Sequence, residues 1–168
     1  MAKKKSGGGG KKGGEPLVVA SKAKGFLKVF DALPKERMEY RPHPNSPSAA
    51  EVMRTLSAEL AACVDAIDRG QVEWNPAPPT SPQDMRARWD RAQDDLAARL
   101  ERLDDAGWAR PVTMSSGGKA YPPMPLGAFL WFLLFDAIHH RGQLTAYIRP
   151  MGGKVPSIYG PSADDSGS

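Results

Sequence analysis

Only one cysteine, Cys63, occurs among the 168 residues, so no internal disulfide can form. A lone thiol fits a reducing compartment. Long apolar runs are equally scarce: the longest, residues 126–135, is about half of what a bilayer requires and ends at Asp136. Lysines near the start are followed by glycines, where a secretory signal needs an apolar stretch. No membrane partner is expected, and a cytoplasmic location is. Beyond the first 15 residues, an excess of charge is also missing. Lys3, Lys4, Lys5, Lys11 and Lys12 against Glu15 account for the whole net charge of +4. The balanced remainder has nothing to steer it toward DNA, so no specific nucleic-acid partner is expected.

What is present is the material of one domain. Apolar residues at 40% and charged residues at 25% are ordinary globular proportions, and the length suits one core rather than two. The alternating Lys and Gly blocks of residues 1–15 bury nothing and predict a disordered leader. Such a leader solubilises, or touches RNA, DNA or acidic lipid without specificity. Residues 16–168 are then the single folded domain. Its prolines and glycines cluster between periodic segments, where they mark loops.

Spacings of three and four predict four helices. The first covers about residues 16–33, with Leu17, Ala20, Phe26, Leu27, Phe30 and Leu33 on one side, and Pro34 ends it. The second opens with Ser48 as cap and Glu51 three residues on, a capping box. Val52, Leu56, Leu60, Cys63, Val64 and Ile67 then form a stripe that Gly70 stops. Residues 71–79 read as a rigid extended crossover rich in proline. A third helix begins near Ser81, with Pro82 in its first turn and Met85, Trp89, Ala92, Leu96, Leu100 and Leu103 inward. Residues 104–125 are irregular, with room for a short hairpin over 112–121. The fourth helix covers about residues 126–149 and is apolar nearly all round in its first half, as befits a helix among several neighbours. With no convincing strand, the expected fold is an all-α four-helix bundle with one long crossover connection.

Asp136 and His140 carry the chemistry most clearly. Four residues apart on one helix, their side chains share a face one turn apart. Carboxylate and imidazole at that distance can share a zinc, nickel or iron ion, or simply hydrogen-bond to orient the ring. An aspartate directly after residues 126–135 is costly to bury without a compensating charge.

The run His139-His140-Arg141-Gly142-Gln143-Leu144, followed by Tyr147 to Gly152, Val155-Pro156 and Tyr159 to Asp164, resembles the C-terminal signature of the DinB family. Ser48-Ala49-Ala50-Glu51 and the stretch from Leu33-Pro34 through Tyr40-Arg41-Pro42 are similar to their family counterparts, so the resemblance covers roughly residues 17–165. It implies a bundle whose metal site takes one histidine from the second helix and an H-x-x-x-H pair from the last. His140 matches the final ligand, and Asp136 stands where the first histidine of the pair would be. The second-helix histidine falls on Thr55, a neutral hydroxyl and a poor ligand. Three outcomes stay open: weak binding through Asp136, His140 and water; a third ligand from Glu59, one turn beyond Thr55, or from His139; or a metal-free pocket in which Asp136, His140 and Thr55 hydrogen-bond.

The resemblance implies a metal-dependent enzyme of thiol-transferase or hydrolase type acting on a small molecule or thiol. The departure at Thr55 keeps a second reading alive, a non-catalytic bundle that binds a small ligand or forms a homodimer. Among the other residues, His43 reads as surface and Cys63 as a small core residue. Arg141 either contacts an anionic substrate or pairs with an acid on a neighbouring helix. Gly142 suggests close helix packing, and Gln143 a hydrogen bond across the bundle. Trp89, Trp131 and Tyr147 at helical spacing suggest core.

Overall fold

The computed structural model describes residues 15–167. The leader and the side chains of Leu17 and Ala20 lie outside the described residues. The first helix, α1, spans Glu15–Ala32. Phe26, Val29, Phe30 and Leu33 are buried along one side, at the spacing the sequence shows. The second, α2, spans Ala49–Arg69. Its start is the expected capping box: Glu51 N donates to Ser48 Oγ at 3.2 Å, and Ser48 N donates to the Glu51 carboxylate at 2.7 Å. Gly70 ends it in the left-handed region, φ 68°, with its amide donating to the Ala66 carbonyl.

Helix α3 spans Pro82–Leu100, capped by Ser81, and buries Met85, Trp89 and Leu96. At one end Ser57 Oγ of α2 donates to the Met85 carbonyl at 3.2 Å; at the other, Arg99 Nε grips the Asp68 carboxylate at 2.9 Å. Residue numbers on both helices rise together, so α2 and α3 run parallel. The crossover, residues 71–81, therefore travels back along the bundle before α3 can begin. A single turn, α4 (Asp105–Ala109), precedes the last long helix, α5 (Leu126–Ile148). Ala49 and Ala50 of α2 share a cluster with Leu144 and Ile148, whereas Ala62 and Cys63 share one with Phe129 and Leu133. Helix α5 is thus antiparallel to α2, and α1, α2, α3 and α5 form the four-helix bundle.

A strictly all-α fold is not what forms. Strand β1 (Gln71–Trp74) lies in the supposed crossover and pairs in parallel with β2 (Pro111–Ser116), Val72 opposite Met114. The expected hairpin is present: β2 turns through Gly117 and Gly118, both at positive φ, into β3 (Lys119–Ala120). Strand β4 (Met124–Pro125) pairs with the start of β2. Val72 and Val112 point inward and join Ala66, Ile67, Leu126 and Phe129, which is why this small mixed sheet forms: it closes one end of the bundle. Among the described residues, no helix is long and apolar enough to cross a membrane.

Candidate metal centre

Helices α2 and α5 bring together Glu59, Asp136 and His140, with one ligand atom from each lying within 4.8 Å of the others. Asp136 and His140 meet because α5 winds them onto one face; His140 Nε2 is 3.7 Å from Asp136 Oδ2. Glu59 arrives from the facing helix, its Oε1 also 3.7 Å from His140 Nε2. It belongs to the buried stripe of α2, three residues after Leu56 and four before Cys63, so the helix period carries its carboxylate inward.

Burial decides the electrostatics. The Glu59 side chain is 2% exposed, against 20% for His140 and 42% for Asp136. Both Glu59 carboxylate oxygens are buried without a hydrogen-bond partner among the described residues. Desolvation, and secondarily the neighbouring Asp136 carboxylate, push its pKa up to about 9. An orphaned buried carboxylate costs several kcal/mol unless a proton or a cation meets it.

The His140 ring is held from behind. Its Nδ1 is 2.9 Å from Gln143 Oε1 and donates to it, so Nε2 is turned toward Glu59 and Asp136. The amide nitrogen of Gln143 in turn lies 3.1 Å from His139 Nε2 and donates to it. Such outer hydrogen bonds orient ligating histidines. Two carboxylate oxygens and one imidazole nitrogen fit a first-row divalent ion, a harder set than three imidazoles. Three protein ligands also leave coordination positions open, the arrangement of catalytic rather than structural sites.

Of the residues named from sequence, Asp136 and His140 converge as expected, and Glu59 is the third-ligand candidate that joins them. His139 turns its Nε2 to Gln143 instead. Thr55, one turn before Glu59, spends its hydroxyl hydrogen on the Glu51 carbonyl at 3.0 Å, leaving only a neutral oxygen to offer. Gln143 bonds within its own helix, not across the bundle as expected. Gly142 is exposed with nothing near it, so it serves no close packing among the described residues of the chain. Arg141 forms no ion pair with an acid among the described residues: it is buried, stacked between the Phe26 and Tyr159 rings at 4.9 and 4.8 Å, and donates to Tyr159 Oη. Gly25 gives it room, since a Cβ there would lie 3.1 Å from Arg141 Nη1. Cys63 is buried and its thiol pKa is pushed up to about 12, chiefly by desolvation, so it is no nucleophile. Trp89 and Tyr147 are core, Trp131 is half exposed, and His43 lies on the surface.

With fold and site in place, comparisons with known proteins agree. The DinB superfamily profile matches residues 22–144, and the chain belongs to that superfamily. Over 42 residues the chain is 48% identical to the uncharacterized protein YrdA of Bacillus subtilis (strain 168), a stretch covering 25% of each protein. The matched stretch thus spans only a quarter of that relative's length. A DinB-like protein from Bacillus subtilis, YjoA, superposes with a TM-score of 0.61 at 22% identity, over 81% of this chain and 92% of that one. YfiT, also from Bacillus subtilis, superposes with a TM-score of 0.63 at 12% identity, over 91% and 96%. At such identities the likeness establishes the fold.

Proposed function

We propose that Glu59, Asp136 and His140 hold one divalent cation, zinc, nickel or iron, and that the protein is a metal-dependent enzyme of thiol-transferase or hydrolase type. One observation carries this reading. A carboxyl group buried to 2% exposure, with no N–H or hydroxyl donor on either oxygen among the described residues, faces a second carboxyl group and an imidazole nitrogen. YfiT, which shares the fold, is described as a probable metal-dependent hydrolase. When bound, a divalent cation supplies Lewis acidity, lowering the pKa of water or a thiol and polarising an electrophile. The chain's own groups do the rest. Glu59 anchors from the dry side, Gln143 fixes the ring of His140, and Asp136, the most exposed of the three, marks the side from which a small-molecule or thiol substrate enters. A reducing, cytoplasmic setting suits the lone thiol of Cys63.

Elemental analysis of untagged protein tests the reading. About one equivalent of divalent metal is expected in the wild type, with loss in His140→Ala and Glu59→Ala and little change in Thr55→Val. Metal content that is negligible under metal-replete conditions, or indifferent to His140→Ala, overturns it.

A homodimer is favoured by a separate feature. Trp131, Phe132 and Phe135 are 50%, 52% and 63% exposed on one side of α5, a contiguous aromatic patch unusual for a monomer's surface. The same stripe continues through His139 to Gly142 and Ala146, all small or flat and exposed. Two α5 helices crossing antiparallel about a two-fold axis near His139 set bulky residues of each copy against small ones of the other, the self-complementarity an isologous contact needs.

A further inference from the structure

A second candidate site lies away from the triad, between the parallel helices α2 and α3. There a cavity of about 370 Å³ is walled by the two helices and edged by the proline-rich crossover at Pro76 and Pro78. None of Glu59, Asp136 and His140 lines it. Because the helices run parallel, residues of similar level line it together: Arg54 and Met85 at one end, Ala58 and Arg88, then Ala61, Arg91 and Ala92 along it, and Asp65 and Asp95 at the other.

The ion pairs around this cavity are uneven. Asp65 is paired with Arg69 at 3.4 Å and Asp95 with Arg99 at 3.2 Å, so each acid at that end has a cation beside it. Elsewhere on α3 the arginines are saturated: Arg86 holds both Asp31 and Asp90, and Arg99 holds Asp68 as well as Asp95. The three arginines that line the cavity differ. Among the described residues, Arg54, Arg88 and Arg91 form no ion pair. Arg54 Nε is buried with no acceptor, and its Nη2 has only a long 3.5 Å contact with Thr55 Oγ1. Arg88 and Arg91 are exposed, whereas a buried donor without an acceptor, such as Arg54 Nε, is costly. That penalty vanishes if an oxyanion meets the Arg54 guanidinium, whose planar fork matches carboxylate and phosphate alike.

We propose that this cavity binds a small organic oxyanion, a carboxylate or phosphate on a short apolar body. The anionic head lies on Arg54 and Arg88, and the body rests on Ala58, Ala61 and Ala92, with Arg91 alongside it. The volume is at the small end for ligand pockets, which limits the guest to a compact molecule. This site does not depend on the metal centre.

Calorimetric titration of the full chain in the presence of a chelator tests it, with hexyl phosphate, hexanoate, inorganic phosphate and hexan-1-ol as probes. One or both amphiphilic anions should bind saturably at a single site, more weakly as salt is raised; which binds tighter identifies the head group. Inorganic phosphate should bind less well than hexyl phosphate, and hexanol not at all. The double variant Arg88→Gln/Arg91→Gln changes exposed side chains, so it should keep the wild-type circular dichroism while weakening binding at least about tenfold. His140→Ala should leave binding unchanged. Absence of saturable binding for both anions at millimolar concentration overturns the proposal. So does equal affinity in the folded double variant, hexanol binding as tightly as hexanoate, or dependence on His140.

Discussion

Glu59 Oε1 and His140 Nε2 face each other across the α2–α5 interface at 3.7 Å. That gap is too long for a hydrogen bond and close to the spacing of two ligands on a single ion, roughly 3.4 Å for bonds of about 2.1 Å in a tetrahedral shell. Two groups far apart in sequence thus present complementary ligands that do not satisfy each other.

A pH dependence follows for the metal-free protein. The Glu59 carboxyl has a pKa of about 9 in the fold, against its ordinary value of 4.5 once the chain unfolds. Below the lower value both states hold the proton; between the two only the folded state does. Stability is therefore full at low pH and falls as pH rises through that window, until Glu59 ionises in the fold near its raised pKa. Chelator-treated protein is expected to lose of order 1 kcal/mol per pH unit across this window, measured by urea unfolding. Glu59→Gln should flatten the profile and be the more stable protein near pH 8. A variant with the wild-type slope would show that Glu59 is not the titrating group.

Gln143→Leu should leave the fold intact and lower metal affinity by about 10- to 100-fold, the usual cost of losing an outer partner of a ligating histidine. Competition against a chromogenic chelator reads this directly. Equal affinity in the variant would mean that the 2.9 Å bond to His140 Nδ1 does not orient the ring.

On the α5 stripe, Phe132→Ser combined with Phe135→Glu is expected to give a monomer where the wild type elutes as a dimer, as measured by light scattering. Removing exposed apolar groups should not lower the melting temperature of the monomer. A wild type that is already monomeric at high micromolar concentration would rule out the antiparallel α5 contact.

Gly153 offers a test of packing. A Cβ there would lie 2.7 Å from the Ala32 carbonyl oxygen and 2.9 Å from Ile148 Cγ2. Backbone cannot yield as a flexible side chain does, so Gly153→Ala should destabilise by about 1–3 kcal/mol, seen in chemical denaturation. A loss of only a few tenths would mean that the C-terminal segment shifts to make room.

Features encoded over a few residues are legible in the sequence. Ser48 and Glu51 cap α2 as their spacing demands, and the positions of all four long helices follow from apolar periodicity and from Pro34, Gly70 and Pro82. Asp136 and His140 are visible for the same reason, since one helix turn relates them. Glu59 can be named from sequence only as one choice among several, because the facing helix determines it. Its signal is a carboxylate on an apolar stripe, between Leu56 and Cys63. Strand β1 escapes sequence reading because its partner lies some 40 residues on, and a four-residue strand beside prolines has no periodicity of its own. The expected reach of Gln143 across the bundle fails because its helix face alone does not say which neighbour wins.

The parallel pairing of β1 with β2 also orders assembly in time. Gln71 and Thr113 can meet only after α3 has run the length of the bundle and α4 has turned the chain back. Ladders that close so large a loop form late, so amides of Val72 and Glu73 should gain hydrogen-exchange protection after those in the middle of α2. Simultaneous protection in pulse labelling would mean that strand and helix instead condense as one unit.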